Sequence, residues 1–161
     1  MKYLVFIFML AVTNAISQSK PPQFGSGLSA AELQRAKNLY IEMSRTKDYA
    51  IWIDKQVEEG IKLKQVELID LQTIVSLENQ DEIHKIMRSN LEAKLDQTGF
   101  KTVDEGMSLH IEIMGLNDTL RLNHPELHTL LDKASGKQHV EIIEPMLNDK
   151  RAAILEQIRN Q

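Results

Sequence analysis

Apolar side chains recur along this chain mostly at three- and four-residue steps, the spacing that gathers them on one face of an α-helix. Leu33, Ala36, Leu39, Tyr40 and Met43 form the first such stripe. It opens at Ser29-Ala30-Ala31-Glu32, a capping box in which the serine hydroxyl accepts one orphan N–H and the glutamate reaches back for another. The stripe fades at Ser44-Arg45-Thr46. A later stripe, Ile83, Met87, Leu91 and Leu95, follows the polar opening Asn79-Gln80-Asp81-Glu82. Gly99 stands where a left-handed residue ends such a helix, with Phe100 as the apolar clasp behind it.

Thr102-Val103-Asp104-Glu105 is a second capping box. The helix it opens carries Val103, Met107, His110 and Met114, and Leu109, Ile113, Leu116 and Leu120 widen its apolar face. Gly106 and Gly115 mark places on it where another backbone could come close. His124-Pro125 stops this helix and starts a short one, because proline is tolerated at the first helical position. The short helix runs through Leu127, Leu130 and Leu131 to Gly136. The last helix, over 138–159, turns Ile143, Leu147, Ile154, Leu155 and Ile158 inward and is kinked or divided at Pro145.

Residues 48–77 carry two patterns. Ile53, Val57, Ile61, Lys64, Leu68, Leu71 and Val75 make a nearly complete helical seam. Together with many Glu, Lys, Gln and Leu residues they predict one long helix, bent at Gly60. The alternation of Ile51 with Ile53 and of Ile61 with Leu63, around Glu58-Glu59-Gly60, leaves a short hairpin open.

The fold class expected is therefore all-α. A helix cannot bury its stripe alone, and an antiparallel bundle of five or six helices is the economical packing. It occupies residues 29–161 as a single domain, behind a flexible lead-in over 18–28 rich in Pro, Gly and Ser.

The first seventeen residues read differently. Lys2 precedes an unbroken apolar run from Leu4 to Val12, and small residues follow at Ala15 and Ser17. That is the basic, apolar and small-residue order of a cleaved export signal. The run is short against the roughly 20 residues that span a bilayer. The mature chain is expected to be secreted or periplasmic, with no membrane span after cleavage.

Composition narrows the chemistry. The chain has 161 residues and no cysteine. That removes a disulfide framework, thiol chemistry and cysteine-bound zinc. The formal charge is −4, and one unit more negative once Lys2 is gone, with no basic cluster. Nucleic acid is not an expected partner. No phosphate-binding glycine loop and no nucleophile motif is present, so the chain is not expected to be an enzyme or to carry a cofactor. Most of the carboxylates fall in first turns or beside Lys and Arg, as on a solvated helix face. The sequon Asn117-Asp118-Thr119 falls inside a helix.

Three groups remain as candidate chemistry. Tyr49 and Trp52, with Ile51 and Ile53, put four bulky residues within five positions. One helix face cannot hide them all: either this helix is sandwiched between others and they are core, the plainer reading, or one face is open and Tyr49 and Trp52 are candidate anchors for a partner, another protein being the partner expected. His124 and His128 stand four apart with Glu126 between them, the best metal candidate. The plainer reading makes them a capping and a surface histidine. His110 lies on an apolar stripe, as a core histidine with one hydrogen-bond partner would. His84 and His139 read as exposed and isolated. The function expected is macromolecular binding by an exported helical protein; the alternative is a bundle that binds a small ligand or a metal through His124 and His128.

Overall fold

The computed structural model describes residues 25–64, 66–69 and 80–159. The expected signal, and the lead-in as far as residue 24, lie outside the described residues. Those described form six α-helices and no strand. They are α1 (Ala30–Ser44), α2 (Lys47–Leu63), α3 (Gln80–Lys94), α4 (Val103–Asn123), α5 (Pro125–Lys133) and α6 (Gly136–Arg159). The all-α class holds.

Cap chemistry places most of the helix starts. Ser29 accepts from the Glu32 N–H, and the Glu32 carboxylate takes the Ser29 N–H at 2.9 Å, which completes the capping box of α1. Thr46 does half of this for α2, its hydroxyl accepting from Tyr49 N–H. Thr102 caps α4 through the Glu105 N–H, while the Glu105 carboxylate takes the Lys101 N–H instead of closing the box. Pro125 sits in the first turn of α5, where its missing N–H is no loss.

The lead-in is tied down before α1 begins. Gly25 N–H donates to Ala134 O and Gly27 N–H to Lys133 O, both at 3.0 Å. A Cβ on Gly25 would lie 2.1 Å from the Lys133 carbonyl oxygen, and Gly27 holds φ 111°. Residues 25–28 are thus part of the packed structure, and Leu28 is in its core.

Several expectations change. The long helix over 48–77 ends at Leu63, because Lys64 turns into the left-handed region with φ 49°. The helix passes through Gly60, so no hairpin forms there, and residues 70–79 lie outside the described residues. Gly99 has no positive φ. Leu95–Gln97 closes instead as a single 3₁₀ turn, and Gly99 N–H donates to Lys62 O at 2.6 Å, joining this turn to α2. Gly106 admits a side chain, not a backbone: an added Cβ would meet Leu91 Cδ2 at 2.6 Å. Pro145 lies inside α6, which continues to Arg159 without dividing.

Ion pairs give the register. Lys62–Glu105, Glu59–His110 and Lys55–Glu112 run in opposite sequence directions, so α2 and α4 are antiparallel. Arg88–Asp104 and the His84–His110 ring contact make α3 antiparallel to α4 as well. The core is aliphatic and methionine-rich, with Trp52, Tyr40, Tyr49 and Phe100 as its aromatics. α4 is its spine, burying Met107, Leu109, His110, Ile113, Asn117 and Leu120.

Candidate functional site

The inward face of α2 is rotated from the one the apolar seam predicts. Ile53 is only partly buried, whereas Tyr49, Trp52, Gln56 and Val57 are buried and Glu59 nearly so. Positions 49, 52, 56 and 59 follow helical spacing, so this face carries polar atoms into the interior. Opposite it, α4 supplies His110 and Asn117. The antiparallel register puts Asn117 roughly level with Trp52. α6 adds Lys150 from a third side.

These side chains are almost fully enclosed: Gln56 is 0% exposed, Lys150 1%, and Trp52 and Asn117 2% each. The Trp52 indole nitrogen, both ends of the Gln56 amide, the Asn117 amide nitrogen and Lys150 Nζ have no hydrogen-bond partner. Lys150 Nζ stands 4.4 Å from the Trp52 ring centroid. Burial pushes the Lys150 ammonium well below the ordinary lysine range, and the opposite pull of the Glu59 carboxylate is the smaller effect.

One end of this face is fully paired. His110 Nδ1 donates to Glu59 Oε1 at 3.0 Å, the imidazole buried and the carboxylate nearly so. His84 of α3 meets the His110 ring edge-on, 5.9 Å between centroids, and its Nε2 lies 3.3 Å from Met114 Sδ. Burial first, and the field of His110 second, lower the His84 pKa. At the other end the Tyr40 and Tyr49 hydroxyls hydrogen-bond at 3.1 Å. The unpartnered atoms thus lie between two satisfied groups.

His110 has the place and the partner its stripe implies. His84 is not isolated, because α3 packs it on His110 and Met114. Tyr49 and Trp52 are both in the core, their rings 5.7 Å apart, and neither offers a free surface. His128 is buried, not a surface histidine. Its Nε2 is unpartnered, and its pKa is pushed down to about 4 by burial first and by the field of Arg121 next. His124 is the residue between α4 and α5, and its side chain makes no capping bond. His139 is half-buried, not exposed, and acts on His128 through its field. The Arg121 charge disfavours a cation here. Among the described residues, no group of three or more His, Asp or Glu is placed to hold a metal ion. The sequon is closed, since Asn117 is buried within α4.

Gln56 and Lys150 carry no motif, and the only motif at Asn117 is the sequon, so motif reading passes over the three as a group. The signal was positional: Gln56 and Asn117 sit at helical spacing from Trp52 and His110, where an apolar residue is expected.

Compared with protein-family models, curated proteins and solved structures, the chain matches none. Among the described residues, no helix is long and apolar enough to cross a membrane.

Proposed function

We propose that this chain is an exported, non-catalytic helical-bundle protein, secreted or periplasmic after loss of residues 1–17, that encloses a small organic ligand bearing an oxygen acceptor. The observation that carries this reading is the set of unpartnered polar atoms on Trp52, Gln56, Asn117 and Lys150. Each buried polar group left without a partner costs roughly 1–3 kcal/mol. A folded protein keeps such a set at a cost that a bound ligand can offset. Donors dominate it, namely indole N–H, two amide NH₂ groups and an amine, against the one Gln56 carbonyl oxygen. A carbonyl, carboxylate or hydroxyl oxygen complements them, and the surrounding aliphatic core suits an apolar body. The expectation of a protein partner drew on the export signal and the amphipathic helices; its candidate anchors, Tyr49 and Trp52, are both buried in the core. The ligand reading uses the same aromatic pair from the inside.

Trp52 is the only tryptophan, so intrinsic emission reports on this site alone. Titration with octanoate, octan-1-ol and octanal is expected to change that emission saturably for at least one of them. Gln56→Leu combined with Asn117→Leu should weaken the response by tenfold or more, the loss of about 1.4 kcal/mol. Emission unchanged by all three compounds up to their solubility limits contradicts the reading.

A further inference from the structure

The Lys150 amine is placed as a nucleophile. It is 1% exposed, has no hydrogen-bond acceptor, and rests on the face of Trp52 at 4.4 Å. The Glu59 carboxylate, whose field reaches it, already accepts from His110 at 3.0 Å. Lysines on the outside of the protein are held differently: Lys55, Lys62 and Lys133 are paired with carboxylates, and the pairing raises the proton affinity of Lys55 and Lys62. An ammonium ion has no lone pair for a carbonyl carbon. Desolvation shifts a lysine towards the neutral amine, which has one.

We infer that the ligand class of this interior site is an aldehyde or ketone, held by a reversible imine to Lys150 Nζ. This rests on the ligand-binding reading above. The amine lone pair attacks the carbonyl carbon and a C–N bond forms. A proton moves from nitrogen to oxygen, the C–O bond breaks, and the oxygen leaves as water with both amine hydrogens. Nothing is oxidised or reduced, and hydrolysis by the reverse route releases the ligand. Burial lowers the affinity of Lys150 for a proton, so the lone pair is available to a larger fraction of it than of an exposed lysine.

The test uses the full mature chain with octanal and a mild hydride reductant that fixes imines as secondary amines, followed by peptide mapping. Lys150 is expected to be labelled more than about tenfold faster than the exposed Lys85, following its larger unprotonated fraction. Lys150→Met should abolish the fast phase and leave labelling of Lys85 unchanged, while Lys85→Met should leave the fast phase intact. Octan-1-ol, which cannot form an imine, should protect Lys150 by occupying the same site. Labelling spread over Lys85, Lys133 and Lys137, with none preferred at Lys150, overturns the inference. If octan-1-ol and octanal then change Trp52 emission alike, the ligand-binding reading survives and the imine falls. If neither changes it, both fall.

Discussion

Two glutamines divide this molecule. Gln138, near the start of α6, joins the segment before α1 to the α5–α6 junction: its Oε1 accepts from Leu28 N–H at 2.8 Å and Ser135 N–H at 3.2 Å, and its Nε2 donates to Leu28 O at 2.8 Å. Gln56, in the middle of α2, is more deeply buried, and neither end of its amide is paired. The same side chain is a fastener in one place and an open valence in the other. Around Gln138 the glycine N–H bonds to Lys133 O and Ala134 O and the Lys133–Glu32 pair leave the local polar groups well paired. Around Gln56, Trp52, Asn117 and Lys150 share its condition. The first region is built for stability, and the second holds polar groups that stability alone does not explain.

The largest effect expected is acidic. His128 lies near the first region, and its pKa is pushed down from 6.5 to about 4 by burial first and then by the fields of Arg121, His124 and His139. In the unfolded chain it titrates near its ordinary value. Above that value both states are neutral and nothing is lost. As pH falls from about 6.5 towards 4 the unfolded chain takes the proton more readily, so stability falls, by about 3 kcal/mol at the lower end. Urea midpoints measured across this range should fall in the native chain and fall less in His128→Leu. An equal fall in both removes His128 as the cause.

Next comes the fastener. Gln138→Ala leaves the Leu28 N–H and C=O without their partner and is expected to lower stability by about 2–3 kcal/mol, read by urea unfolding. Gln56→Leu should do the opposite and raise stability by about 1 kcal/mol, since it removes two unpaired polar atoms at similar volume. If both substitutions destabilise equally, the two glutamines are not different in kind. The smallest effect belongs to the exposed pair Arg35–Glu126, where Arg35→Ala should lower the urea midpoint least of all, and less still in high salt.

What the sequence made legible follows the same division. The Ser29–Glu32 box, the end of α1 at Ser44 and the Pro125 start of α5 depend on residues close together in the chain, and local cap chemistry settles them. The rotation of α2 is not local. Its apolar seam through Ile53, Val57 and Ile61 competes with the Tyr49–Trp52–Gln56–Glu59 face, and only packing against α4 and α6 decides between them. Gln, Asn and Lys are residues that helix patterns assign to water, so the interior site was hidden by its own composition. Gly99 misled for a related reason: its partner is Lys62 O, far away in sequence.

Lys150 gives the most direct test of the central claim, that the polar interior is retained for a ligand and not for the fold. Its folded-state proton affinity is depressed, so its burial costs stability below the ordinary lysine pKa, and that cost shrinks as pH rises towards 10.5. The measurement is the urea midpoint of Lys150→Met beside the native chain at neutral pH, each with and without saturating octanal. The account predicts a higher midpoint for the variant alone, a rise with octanal in the native chain only, and a smaller gap between the two proteins at alkaline pH. A variant less stable than the native chain, with octanal raising both midpoints equally, would contradict it.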